Sequence, residues 1–407
     1  MENLRSAEFD CNKMYKRRAD MEKIIRTMMD LIAYEVCGQE IDKSQYTLTD
    51  EELVKLYKLA KSHDLAHLVG DALIKNNLIE DGEIKAKFQK QIMLAVYRYE
   101  KINYELGRLR KVLNEAKIPF IPLKGSVLRR YYPEPWMRTS CDIDVLVHES
   151  DLERAVSALT SAAGYKADSK GSHDVGMFSD SGVHLELHYS LIEDKIVGSA
   201  ADVLRSTWKN ASPVSDTSEY AFGDNLFFFY HTAHMAKHFI NGGCGIRPFI
   251  DIWVLNHRIS FGREKRDALL AEGGLLTFAK QAETLSEAWL GNGEHTDITR
   301  RMQDYLLKGG VYGTTANRVS VQQIRKGGKL RYAFSRIWLP YDVLKFHYPS
   351  LEGKRWLLPI FEVHRWFKLI FCGGFKRSVN ELKLNSSTTD KEQTDAKEML
   401  SKLEIDL

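Results

Sequence analysis

The chain predicts an α+β protein, a small mixed sheet set between helical regions. Three observations carry this. Apolar residues recur at helical spacing through residues 1–115. Between 118 and 190 the apolar runs shorten to strand length and alternate with short helix-like stretches. From about residue 200 the helical period returns. At 407 residues the chain exceeds one ordinary core. The expected division is helical 1–115, an α/β core at 116–195, helical 196–310, and a further helical region at 311–407 ending in a loose polar tail.

The elements follow in order. Thr49 and Glu52 form a capping-box pattern ahead of LVKLYKLAKSHDLAHLVGDALI, whose leucines keep helical spacing. A long helix covers about 84–115 and is stopped by Ile118-Pro119. A strand is expected at 119–123 and a short helix at about 126–132. Pro133 and Pro135 then break the chain, since proline is excluded from a helix interior. A strand at 142–148 leads to a helix at 150–163, with Ser150 as its N-cap and Gly164 as its stop. Further strands fall near 165–168, 174–179 and 183–189. Helices are expected at about 200–208, 222–241, 247–257, 264–272, 275–291 and 297–307, and again over 329–375. Residues 311–330 read as irregular and 383–396 as loose.

Composition excludes several classes. Hydrophobic residues make up 44% and charged residues 28%, the balance of a soluble globular chain. A formal charge of +3 gives no footprint for DNA. The five cysteines, Cys11, Cys37, Cys141, Cys244 and Cys372, are odd in number and include no CxxC pair. That argues against a disulfide framework or zinc ribbon and for a reducing cytoplasm. Residues 1–20 lack the apolar stretch of a secretory signal. The segment 356–374 is interrupted by Pro359, Glu362, His364, Arg365 and Lys368, so no membrane span is expected. It reads as a helix packed on the protein body in preference to one lying on a membrane surface.

The chemistry concentrates in 121–147, IPLKGSVLRRYYPEPWMRTSCDIDVLV. Asp142 and Asp144 stand two apart in a strand, so both carboxylates project from one face. Paired carboxylates suit a hard divalent cation. Gly125 and Ser126 follow a strand and open a helix, where free backbone amides favour an anion, and Lys124 adds a positive charge. In the run 183–188, Val183, Leu185 and Leu187 alternate with His184, Glu186 and His188. Glu186 therefore becomes a third carboxylate if its strand neighbours that of Asp142. On the helical segment HTAHMAKHF, His231, His234 and His238 share one face beside Lys237. That face suits contact with a nucleotide or substrate, a zinc ion, or no ligand at all. Arg247 and Asp251 have the spacing to pair on their helix.

Taken in order, these features resemble the nucleotidyltransferase superfamily of DNA polymerase β, and most closely a bacterial family of uncharacterised nucleotidyltransferases. The resemblance rests on Lys124-Gly125, Tyr132-Pro133, Arg138 and Asp142-Ile143-Asp144-Val145. Glu186-Leu187-His188, then His234, Lys237 and His238, and finally Arg247 and Asp251 continue it. It spans most of 50–260. Fifteen residues separate Ser126 from Asp142, longer than is usual in the wider superfamily.

The resemblance implies a nucleotidyltransferase core and two-metal catalysis. Asp142, Asp144 and Glu186 would be the catalytic metal ligands, for Mg²⁺ or Mn²⁺. Lys124, Gly125, Ser126, Arg138, His234, Lys237 and His238 would contact an NTP donor. Arg138 has two open roles, as a bidentate phosphate partner or as an ion pair that positions the Asp strand. The acceptor is an unidentified small molecule, protein or RNA end. Two other functions remain open: an inactive nucleotide- or partner-binding module, and a metal-dependent phosphohydrolase using the His-rich helix with Asp251.

Overall fold

A computed structural model describes residues 2–192, 196, 198–311, 313–371, 375–387 and 389–405, with side chains from residue 19 onward except at 346–347, 375–379, 382 and 390–392. The N-terminal region is helical: α1 (Glu2–Cys37), α2 (Asp50–Ser62), α3 (Ala66–Lys75) and α4 (Glu83–Glu115). The capping box at α2 forms as expected. Thr49 Oγ1 accepts from the Glu52 amide, and Glu52 Oε2 accepts from the Thr49 amide. At 33 residues, α4 is about 50 Å long. One end buries Phe88 in the large helical core, while Ile102, Leu106 and Leu109 pack under the sheet.

The chain then alternates through β1 (Phe120–Pro122), α5 (Gly125–Leu128), β2 (Asp142–Val147), α6 (Leu152–Ala163), β3 (Lys166–Lys170), β4 (Asp174–Phe178) and β5 (His184–His188). These strands form one sheet in the order β1-β2-β5-β4-β3. Only β2 and β5 pair in parallel; the other neighbours are antiparallel. The sheet is mixed and flanked by helices, so the fold is α+β. Ile143, Val145 and Val147 face the core shared with α4 and α6, whereas Leu146 faces the helical body. The second face of β2 therefore packs on helices at its far end and carries Asp142 and Asp144 at its near end.

Beyond the sheet come α7 (Ser199–Arg205), the hairpin of β6 (Ala211–Pro213) and β7 (Tyr220–Phe222), and then α8 (Asp224–Phe239), α9 (Arg247–Arg258), α10 (Arg263–Glu272), α11 (Leu276–Leu290) and α12 (Asp297–Leu307). A single apolar cluster joins Ile24, Leu68, Phe228, Trp253 and Leu403, so the first and later helices share a core. The last elements are α13 (Thr315–Lys326), α14 (Lys329–Ile337), α15 (Tyr341–His347), α16 (Leu358–Phe371), α17 (Phe375–Ser387) and α18 (Asp390–Leu403). No helix among the described residues is long and apolar enough to cross a membrane.

Several local expectations are corrected. Ser150 does not cap α6. A 3-10 turn at Glu149–Asp151 intervenes, and the helix starts at Leu152 without a side-chain cap. Residues 315–326 are helical rather than irregular, because Thr314 caps Asn317 and Val319 and Val321 are buried. The stretch 329–375 is broken into α14, α15 and α16, and Pro340 and Pro349 stand at the breaks. Most of the polar stretch 383–396 lies in α17 and α18, anchored by Gln323 donating to Asn385 Oδ1 at 2.6 Å. Within 356–374, residues 372–374 lie outside the described set, and α16 turns its apolar stripe outward instead of onto the body. Cys37, Cys141 and Cys244 are free thiols; Cys11 and Cys372 fall outside the described side chains.

Candidate active site

The parallel register of β2 and β5 sets Asp144 opposite Glu186 and Asp142 opposite His184. Because side chains alternate, Asp142, Asp144, Glu186 and His188 project to one side. Asp144 Oδ1 accepts from Lys124 Nζ at 2.7 Å and lies 3.0 Å from His188 Nε2. His188 Nε2 is 3.5 Å from Glu186 Oε2. Asp144, Glu186 and His188 each offer a ligand atom within 4.8 Å of the others. Asp142 stands two residues along the same face, outside that compact set. Among the described residues no group hydrogen-bonds its carboxylate.

Charge is balanced unevenly across these acids. Burial opposes ionisation of Asp144, yet Lys124 and His188 overcome it and hold the carboxyl well below the usual range. Burial, and then the Asp144 charge, push Asp142 up to about 6. Burial disfavours the Lys124 ammonium, but Asp144, Tyr230 and Glu186 outweigh it and raise its pKa.

The turn carrying Lys124 is strained. Its φ of 44° and ψ of −120° fall where a side chain is disfavoured. Gly125 is closely packed, since a Cβ there would sit 3.1 Å from the Ser140 Cβ, tighter than an ordinary contact. Ser126 does not reach the carboxylates. Its amide donates to the Leu123 carbonyl at 3.1 Å, its buried Oγ has no partner, and its side chain borders a neighbouring cavity. The turn uses the Ser126 amide internally and directs its side chain away from the acids.

A cavity of about 360 Å³ lies over the acids, in the size range of small-molecule sites. Lys124, Gly125, Arg138, Asp142, Asp144 and Glu186 line one side, and α8 supplies His234, Lys237 and His238. His234 Nε2 lies 3.2 Å from His238 Nε2. Burial, then Lys124 and His238, hold His234 well below its ordinary value. Burial and Lys124 bring Lys237 down to about 8.

Arg138 borders this cavity, but its fork is engaged. Nε and Nη2 donate to the two oxygens of Asp251 at 2.6 and 2.8 Å, and Nη1 donates to the Thr139 carbonyl at 2.6 Å. Tyr132 Oη also donates to Asp251, at 2.6 Å. The Tyr132, Arg138 and Asp251 motif residues thus form one buried network clamping α9 to the segment before β2. The expected Arg247–Asp251 pair is absent among the described ion pairs. Arg247 instead reaches Asp64 at 3.3 Å and the Thr139 carbonyl at 3.0 Å, and borders the cavity. His231 faces the Pro248 carbonyl at 3.3 Å and is 3.9 Å from Asp251. With Asp251 committed to Arg138, the His-rich helix and Asp251 form no ligand cluster among the described residues.

His188 and Arg247 stand in the family pattern, but no site role follows for either from the sequence. His188 carries a sequence signal, since it shares the alternating face of Glu186. Arg247 is marked by the motif alone, and its place over the cavity depends on how α9 packs.

A floor of acids under a cationic wall suits a cation together with a polyanion. In agreement, the sequence profile of the family described as uncharacterised nucleotidyltransferase matches residues 49–291, 243 of the 407 residues. This chain belongs to that family. No curated protein and no solved structure gives a match.

Proposed function

We propose that the protein is a divalent-cation-dependent nucleotidyltransferase of the DNA polymerase β-like superfamily. It would move an NMP from an NTP such as ATP onto a hydroxyl of a small molecule, protein or RNA end. The observation that carries this is the Asp144–Glu186–His188 set on adjacent parallel strands, with Asp142 on the same face. Asp142, Asp144, Glu186 and His188 would hold the metal. Two or three carboxylates fit Mg²⁺, and the added imidazole suits Mn²⁺ equally. When bound, such a cation neutralises triphosphate charge and lowers the pKa of an attacking hydroxyl.

The chain's own groups have distinct tasks. Lys124 neutralises Asp144 and stands where a phosphate oxygen would approach. Lys237 and Arg247 give the opposite wall positive charge, and His234 and His238 border the donor. Gly125 lets the backbone come close. Arg138 acts as a positioning residue through Asp251. The free thiols fit a reducing compartment such as the cytoplasm.

The test is incubation with α-³²P-labelled NTPs, Mg²⁺ or Mn²⁺, and separated small-molecule, protein and RNA fractions of a cell extract. Label is expected to move to one fraction with wild type and not with Asp142→Ala/Asp144→Ala. Equal transfer by both proteins would sink the proposal. The Lys124–Asp144 ion pair is the one feature that favours a silent nucleotide-binding module instead. That alternative predicts NTP binding without transfer.

A further inference from the structure

Helix α16 is built inside out. Its body-facing side carries Glu362, which accepts from the Leu339 amide at 2.6 Å, and Arg365, which donates to the Ile337 carbonyl at 2.8 Å. Trp366 Nε1 donates to the same carbonyl at 3.0 Å. The outward side carries Ile360, Val363, Phe367 and Ile370, all more than half exposed. These lie at i, i+3, i+7 and i+10, one continuous helical stripe. Helix α14 repeats the pattern, with Leu330 88% and Phe334 67% exposed. The Ile337 carbonyl joins the two helices. Of the nineteen exposed large hydrophobics among the described residues, eleven fall within 330–371, so the exposure is concentrated and not the usual scatter.

Charge says what covers this face. Residues 329–371 hold eight Lys or Arg and three Asp or Glu, a net of +5. The whole chain is +3, so the remainder sums to −2. Some cations are paired, such as Arg336 with Glu381 and Arg365 with Glu362. Lys354 and Lys368 are exposed, with no ion pair among the described residues. A second copy docking here would bring the same cations face to face. A single-stranded nucleic acid would use the cations but leave the aliphatic stripe in water. A surface that is both anionic and apolar just below its charge answers both features.

We infer that the α14–α16 face docks onto an anionic lipid bilayer, as an interfacial attachment without a span. The apolar stripe would enter the acyl boundary while Lys354 and Lys368 meet the headgroups. The nucleotidyltransferase core would then work beside a membrane surface, which does not depend on whether transfer itself is demonstrated.

The test is flotation of the full chain with phosphatidylcholine vesicles, and with vesicles also containing phosphatidylglycerol. Binding is expected only to the anionic vesicles and is expected to weaken with salt. Phe367→Glu/Ile370→Glu should abolish it. Lys354→Gln/Lys368→Gln should weaken it about 30-fold, from about 1 kcal/mol per cation near the surface. Circular dichroism melts show that each variant folds; the lysine pair, being exposed, keeps the test intact if the first variant does not fold. No flotation of wild type, or flotation unchanged in both variants, overturns the inference. So does a vesicle-free dimer, or capture of single-stranded RNA with vesicles ignored.

Discussion

Removing Asp251 should cripple the fold even though the residue does not line the cavity. Asp251 is fully buried and Arg138 is 8% exposed. In Asp251→Ala the guanidinium loses two charge-assisted hydrogen bonds and Tyr132 loses its acceptor. Breaking a buried pair from one side costs about 3–5 kcal/mol. An orphaned buried hydroxyl adds about 1–3 kcal/mol. The two losses share one carboxylate, and water from the cavity relieves Arg138 in part, so a total of about 4–6 kcal/mol is expected. That is a large share of an ordinary stability of about 5–15 kcal/mol. Urea unfolding followed by circular dichroism measures it. Arg138→Met/Asp251→Leu removes both charges and should recover most of the loss. A cost below about 1 kcal/mol for Asp251→Ala would refute the reasoning. So would a double variant that is as unstable as the single one.

Asp142 gives a pH-dependent prediction of opposite sign. Its folded pKa of about 6 exceeds the ordinary value near 3.9, so stability is lost as pH rises between them. The loss amounts to a few kcal/mol at pH 8 and roughly half of that at pH 5. Asp142→Asn, freed of metal by EDTA, should therefore be more stable than wild type, with the larger gain at pH 8; a uniform gain, or a loss, contradicts this. Lys124→Ala should tighten Mn²⁺ binding about tenfold or more by removing a competing charge near Asp144. The same change should weaken NTP binding, and calorimetry reads both. Gly125→Ala forces a Cβ against Ser140 and should cost about 1–3 kcal/mol in thermal or urea unfolding.

The parts of this fold that the sequence declares are those governed by short periods. Strict alternation over 183–188 leaves no choice of face, so Glu186 and His188 are assigned together. The Thr49–Glu52 box is local, and so is the Gly164 stop, which adopts the left-handed conformation with φ of 69°. What stays hidden is long-range. The approach of His188 to Asp144 depends on a parallel register between strands about forty residues apart. The partner of Arg138 lies 113 residues away, and spacing alone points to the wrong pairing, Arg247 with Asp251. The Ser126 side chain is turned aside by the unusual Lys124 backbone, which nothing in Lys-Gly-Ser announces. The stretch 383–396, shared by the end of α17 and the first half of α18, looks too polar to fold because its anchors, such as Gln323 for Asn385, come from another helix.

Titration of Mn²⁺ in the presence of an NTP, followed by electron paramagnetic resonance, tests most directly whether the β2–β5 acids are the metal site. Wild type and His231→Gln should bind alike. Asp144→Asn and Glu186→Gln should bind at least about 100-fold more weakly, since losing a charged ligand exceeds the about 10–100-fold cost of losing a group that merely orients one. Retained binding in both acid variants, with loss in His231→Gln, would contradict the account and return the chemistry to the histidine helix.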